Sequence, residues 1–74
     1  MKITLKLFAT LLRFGPEVQE IIVPEGTTVA EVIKRTNISE NIRLLRILNG
    51  IHVPEDHVLR EGNILALFPP IGGG

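Results

Sequence analysis

The sequence predicts an α+β fold in which one helix packs on a mixed sheet of five strands. Three features of the 74-residue chain point to this class. The N-terminal segment alternates apolar and polar residues, as a strand with one buried face does. A helix start signal stands in the first half of the chain. A short run that is apolar at every position precedes the C-terminus, which is typical of a strand covered on both faces.

The first two strands are expected to form an antiparallel hairpin. An apolar residue at every second position from Ile3 to Leu7 predicts the first strand. Phe8 follows at a solvent-facing position and breaks the alternation. Residues 9–16 are predicted to form a loop with a helical turn, and residues 18–23 the second strand. The connection is short enough for the two strands to pair directly.

A single helix is predicted to follow this hairpin. Thr28 and Glu31 have the spacing of a capping box, which satisfies the first free N–H groups of a helix. The helix is expected to end near residues 36–37, where Lys34 and Arg35 complement its dipole. Its apolar face consists of Val29, Val32 and Ile33.

Three more strands are predicted in the second half of the chain. Residues 44–48 and 51–53 flank the Asn49-Gly50 pair, a type I′ hairpin signal because both residues of that turn need a positive φ. A turn at residues 61–63 leads to the last strand, residues 64–68. A hairpin, a crossover helix and a central last strand that lies parallel to the first together make the ubiquitin-like β-grasp. We expect a β-grasp domain over residues 1–70 and a flexible glycine tail over residues 71–74.

The alternation of side chains also predicts what lies on the sheet face away from the helix. If Leu65 and Leu67 face the helix, then Ile64, Ala66 and Phe68 face outward. Phe8 and Phe68 would then meet at the same end of two parallel neighbours and form a patch suited to a partner. The alternative is that the segment around Leu11, Leu12 and Phe14 covers the two rings.

The C-terminal segment is the strongest functional signal. It reads Phe68-Pro69-Pro70-Ile71-Gly72-Gly73-Gly74. Prolines stiffen the exit from the domain, and glycines without a Cβ fit a narrow channel. From Pro69 onward the reach is roughly 20 Å at about 3.4 Å per residue, which could carry a carboxylate into another protein's active site. A functionless terminus or a cloning scar is the alternative.

Composition argues against several classes of function. Eight basic and eight acidic residues give zero formal charge, and only three residues are aromatic, which disfavours nucleic-acid binding. We expect no membrane segment and no signal peptide, and hence a cytoplasmic protein. The chain has no cysteine, and His52 and His57 lack partners at metal spacing, so we predict surface histidines and no metal. Arg43 and Arg46 are expected on a solvated face, with docking of an acidic partner as the alternative.

The chain resembles the MoaD branch of the MoaD/ThiS sulfur carriers, the small subunits of molybdopterin synthase. The resemblance covers nearly the whole chain and rests on four segments in the family's order: Leu7-Phe8-Ala9, Asn49-Gly50, Leu59-Arg60-Glu61-Gly62-Asn63, and the C-terminal Phe-Pro-Pro-x-x-Gly-Gly pattern. The last of these is the specific one. Asn63 stands where the family often has Asp, and Gly72 makes three glycines rather than two.

The resemblance implies a protein cosubstrate without catalytic side chains of its own. An E1-like adenylyltransferase would adenylate Gly74 with its own ATP and Mg²⁺, and a sulfur donor would convert the adenylate to a thiocarboxylate. Gly73 would complete the diglycine. Phe8, Phe68 and the segment 69–72 would contact the molybdopterin synthase large subunit, where sulfur passes to a pterin precursor. This chain itself would bind no cofactor.

Two other functions remain open. The same tail fits a ubiquitin-like protein modifier, or a sulfur carrier for tRNA thiolation, thiamine or cysteine synthesis. A β-grasp interaction domain with an inert tail is the remaining alternative.

Overall fold

The computed structural model describes residues 1–39 and 41–70, which form a single mixed sheet with a helix on one face. The regular elements are β1 (Lys2–Leu7), a 3₁₀ helix (Ala9–Phe14), β2 (Val18–Ile22), α1 (Val29–Lys34), β3 (Leu45–Leu48), β4 (Ile51–His52) and β5 (Ile64–Phe68). The strand order is β2-β1-β5-β3-β4. β1 and β5 are parallel, and the other neighbours are antiparallel. The predicted α+β class and the β-grasp arrangement are confirmed.

The core lies between the sheet and α1. One face of each central strand is fully buried and consists of Ile3, Leu5, Leu7, Leu65 and Leu67. Val29 and Val32 of α1 pack against this face. The alternation from Ile3 to Leu7 therefore exists because every second side chain of β1 must enter the core. Among the residues described, no helix has the length and apolar character needed to cross a membrane.

The helix begins where its capping box predicts and ends earlier than expected. The Glu31 N–H donates to the Thr28 hydroxyl, and the Thr28 N–H donates to the Glu31 carboxylate at 3.0 Å. The last helical residue is Lys34, not a residue near 36–37. The Thr36 hydroxyl donates to the Ile33 carbonyl at 2.6 Å, and this local bond closes the last turn in place of further helix.

The β3–β4 hairpin has the predicted turn. Asn49 and Gly50 have φ values of 47° and 87°, as a type I′ turn requires. Asn49 also joins the hairpin to β5, because its side-chain oxygen accepts from the Ile64 N–H at 2.9 Å while its own N–H donates to the Ile64 carbonyl at 3.0 Å. Asparagine therefore supplies both the backbone conformation and a hydrogen bond that glycine lacks.

The 3₁₀ helix closes one end of the core, so the predicted loop of residues 9–16 is more regular than expected. Leu11 is buried, and Phe14 packs against the core cluster. Leu12 is exposed. Phe8 and Phe68 are half-buried, so this segment does not cover the two rings completely.

Arg46 departs from the predicted solvated face. Its side chain is 18% exposed, and its guanidinium donates to the carbonyls of Val53 and Leu44 at 3.1 and 3.0 Å. The β3 register explains this, since Arg46 pairs with the inward-facing Leu67 and therefore lies on the helix side of the sheet. Arg43 is exposed, as expected.

Candidate partner-binding site at the base of the C-terminal tail

The tail leaves the domain from the middle of the sheet. β5 pairs with β1 on one side and with β3 on the other, up to the Leu45–Phe68 pair. The Phe8 N–H donates to the Leu67 carbonyl at 3.2 Å and extends the parallel pairing past the end of β1. A strand held on both sides is a rigid base. Pro69 and Pro70 therefore start from a fixed point and direction.

Phe8 and Phe68 stack beside this exit point. Their ring centroids are 4.3 Å apart, and the ring planes differ by 10°. Both side chains are half-buried. A stacked pair of this kind contributes about 1 kcal/mol beyond its area burial. The adjacency expected from the strand alternation is thus present, while partner binding by these residues stays a prediction.

Three further apolar side chains extend the aromatic pair into a continuous surface. Leu45 pairs with Phe68, and Ile47 pairs with Ala66, so all of them lie on the face opposite α1. We call this surface the outer apolar patch; it consists of Phe8, Phe68, Ala66, Leu45 and Ile47. Every member is half-buried rather than covered. A contiguous, rimmed apolar surface of this kind is typical of a protein-docking site.

Sequence reasoning missed the contribution of β3 to this patch. The signal was present, because the run Leu44-Leu45-Arg46-Ile47-Leu48 is apolar at both outward positions. A strand with one wet face would carry polar residues there. The apolar outward residues become meaningful only once the register places them next to Phe68 and Ala66.

Polar and charged side chains border the outer apolar patch. Lys6 pairs with Ala66, and His52 pairs with Ile47, so both lie on the same face as the patch. His52 and His57 are exposed, as predicted. Within residues 1–39 and 41–70, no group of three His, Asp or Glu side chains is placed to hold a metal ion. The site therefore offers hydrocarbon area with a polar rim, the composition of a docking surface.

The predicted site residues fall into two groups. Phe8 and Phe68 are in direct contact, and Pro69 and Pro70 continue from them, half-buried and exposed respectively. Ile71, Gly72, Gly73 and Gly74 lie outside the described residues. The roles assigned to the second group, and the predicted tail of residues 71–74, therefore stay predictions.

Comparisons with known proteins agree with this fold and with this tail. The ThiS family matches residues 5–74, a range that includes the terminal glycines. No curated protein matches the chain significantly.

Several solved structures share the whole fold. SAMP1 from Haloferax volcanii is 25% identical, with a TM-score of 0.73 and full coverage of both chains. A candidate molybdopterin converting factor, subunit 1, from Pyrococcus furiosus is 25% identical, with a TM-score of 0.75, and the match covers 95% of this chain and 98% of that one. The HVO 2177 protein of Haloferax volcanii is 21% identical, with a TM-score of 0.77 over 100% of this chain and 87% of the other, and it shows the fold alone. With a family match that spans nearly its whole length, the chain belongs to the ThiS family of small sulfur-carrier and ubiquitin-like proteins.

Proposed function

We propose that the chain carries sulfur as a thiocarboxylate on Gly74. One carboxylate oxygen of Gly74 attacks the α-phosphorus of ATP, pyrophosphate leaves, and an acyl-adenylate forms. Sulfide from a sulfur donor then attacks the carbonyl carbon. The bond between that carbon and the phosphate oxygen breaks, and AMP leaves. A carboxylate is a poor electrophile, and adenylation supplies the leaving group that the second step needs. The activating partner supplies ATP and Mg²⁺, and Gly73 keeps the approach narrow.

The observation that carries this proposal is the family match, because it extends through the terminal glycines. The position of the tail supports it. Pro69 and Pro70 continue from a strand that is hydrogen-bonded on both sides, next to the outer apolar patch. A partner that binds the patch therefore receives the tail at a defined place. A fully extended segment from Pro69 to Gly74 would reach about 20 Å, a distance suited to a buried active site.

For the sulfur acceptor we propose the pterin precursor of molybdopterin, bound to the molybdopterin synthase large subunit in the cytoplasm. The Pyrococcus furiosus neighbour, with its molybdopterin converting factor description, supports this choice. In this complex the large subunit would bury Phe8 and Phe68 and take residues 69–74 into its active site. Molybdenum and tungsten pathways share this chemistry.

Variants with a shortened or lengthened C-terminus test the chemistry of the tail, because they change the position of the terminal carboxylate. Deletion of Gly73 and Gly74 together, which removes the diglycine end, or one residue added after Gly74 should abolish the ATP–pyrophosphate exchange that the E1-like enzyme catalyses with this chain. Ile71→Val is the matched control, because it changes the tail without changing its terminal carboxylate. Normal exchange with either altered terminus would show that Gly74 is not the activated group. It would leave the inert-tail interaction domain as the better description.

The second candidate function is that of a protein modifier, which the SAMP1 neighbour favours, since the name stands for small archaeal modifier protein. The Gly74 acyl-adenylate, or a thioester formed from it, would then react with a lysine amine to give an isopeptide bond. Tagged chain purified from cells under denaturing conditions should carry covalently attached proteins, and the variant that lacks Gly73 and Gly74 should not. If no such conjugates are found, only the carrier function is supported. Sulfur acceptors in tRNA thiolation, thiamine synthesis or cysteine synthesis are then distinguished by the sulfur-containing product that is lost when the gene is deleted.

A further inference from the structure

A second surface lies on the helix side of the sheet, opposite the outer apolar patch. It is a groove of about 460 Å³ between α1 and the segment that leads into β3. Its apolar lining comes from Ile33 on one side and from Ile42 and Leu44 on the other. All three are half-buried and rest on the core. The groove therefore has an apolar floor that is fixed by the fold.

The rim of this groove is strongly cationic. Lys34, Arg43 and Arg46 line it, and Glu55 is the one carboxylate among the described residues that do so. A guanidinium nitrogen of Arg46 and a carboxylate oxygen of Glu55 are 3.8 Å apart, and the Glu55 side chain is 68% exposed. The ion pair is therefore weak, and Glu55 neutralises little of the Arg46 charge. The chain as a whole is neutral. Three of the eight basic side chains therefore line this groove against one carboxylate among the described residues, which makes the groove locally positive.

One of the three cations is held by hydrogen bonds, and the other two are exposed. The Arg46 guanidinium is fixed by the Val53 and Leu44 carbonyls. Lys34 and Arg43 are exposed, at the end of α1 and before β3. A hydrogen-bonded cation beside an apolar floor, with two exposed cations at the margin, suits a ligand that carries both an aliphatic side chain and carboxylates.

We propose that this groove docks an acidic peptide segment of a partner protein, with one aliphatic side chain on the floor and Asp or Glu side chains at the rim. The volume fits one or two side chains, which corresponds to a short linear segment rather than to a domain. Because the groove and the outer apolar patch are on opposite faces of the sheet, both can be occupied together. A partner could hold the carrier by the groove while the tail and the patch engage another protein. This function goes beyond the sulfur chemistry and does not depend on Gly74.

The test is an NMR titration of the full-length ¹⁵N-labelled chain with a short synthetic peptide that alternates leucine and glutamate. We expect saturable shifts at the amides of Ile33, Ile42 and Leu44, and unchanged amides at Ala66 and Phe68. Added salt should weaken binding. The wild-type titration needs no variant, so it remains decisive if a variant fails to fold.

Charge reversal tests the cations directly. Lys34→Glu and Arg43→Glu should each weaken peptide binding about fivefold, since each exposed ion pair turns into a repulsion. Arg60→Glu is the matched control, because Arg60 is exposed in the loop before β5 and does not line the groove. That variant should bind within about twofold of the wild type, the difference that a remote, screened charge makes.

Three results would overturn the proposal. One is the absence of saturable shifts at the groove, or shifts at the outer apolar patch instead. Another is equal weakening by Arg60→Glu, which would mean that only net charge matters. The last is equal affinity for a glutamate peptide without leucine, or for an RNA oligonucleotide, since either would identify a general polyanion surface and leave the apolar floor without a role.

Discussion

Leu67 and Phe68 are adjacent in β5 but face opposite sides of the sheet, so their substitution separates folding from binding. Leu67 is fully buried among the core residues, whereas Phe68 is half-buried in the outer apolar patch. Leu67→Ala should therefore damage stability. Phe68→Ala should damage docking of the large subunit and leave a folded domain.

The structure sets the size of the two effects. Removing a fully buried leucine side chain costs about 3 kcal/mol, from lost transfer energy and the remaining cavity. A chain of 74 residues has a total stability of roughly 4–11 kcal/mol, so this is a large fraction. Phe68→Ala loses the stacking on Phe8 and part of a buried surface, which together amount to about 1–2 kcal/mol.

Urea denaturation followed by circular dichroism measures both values, because small single domains usually unfold in one step. Binding of the large subunit by calorimetry completes the comparison. We expect Phe68→Ala to bind at least about tenfold more weakly, as loss of an aromatic anchor does. A larger stability loss for Phe68→Ala than for Leu67→Ala would refute the assignment of the two faces. Unchanged binding by folded Phe68→Ala would refute the docking function of the patch.

Substitutions at three positions test individual elements by thermal unfolding. Asn49→Ala should cost about 1–3 kcal/mol because it loses both the tolerated positive φ and the bond from Ile64, whereas Asn49→Gly keeps the φ and should lose about 1 kcal/mol. Equal losses for the two would mean that the positive φ costs alanine nothing, and an unchanged midpoint for Asn49→Gly would mean that the side-chain bond is unimportant. Ala9→Gly should stabilise by about 0.5–1 kcal/mol, since Ala9 has a φ of 53°; a lower midpoint would contradict this. Thr28→Ala should lose about 1 kcal/mol with the capping box, while Thr28→Ser should stay within a few tenths; identical losses would exclude capping as the cause.

Local sequence signals predicted the fold well because they agree with one another. The alternation in β1, the Thr28–Glu31 box and the Asn49-Gly50 turn each act within a few residues, and the structure contains all of them. The 3₁₀ helix at Ala9–Phe14 is different. It forms because Leu11 fills the end of the core. This is a tertiary effect, and the local spacing of apolar residues does not predict it.

The site could be predicted only in part, for the same reason. The contact between Phe8 and Phe68 could be predicted from strand alternation, since the parallel pairing of β1 and β5 brings the two rings together. Leu45 and Ile47 required the β3–β5 register, which depends on long-range pairing. The half-buried position of Arg46 likewise depends on that register and on the Val53 and Leu44 carbonyls. The terminal glycines were recognised from sequence pattern alone, and their chemistry requires experiment.

Intact mass spectrometry of the full chain tests the proposed sulfur chemistry most directly. The chain is incubated with ATP, Mg²⁺, a sulfur donor and an E1-like enzyme from the same cell, and the C-terminal peptide is then sequenced. We expect a mass gain equal to the replacement of one oxygen by sulfur, located on Gly74. An unchanged mass, with the same enzyme active on another substrate, would contradict the proposal that this chain is a thiocarboxylate carrier for that enzyme.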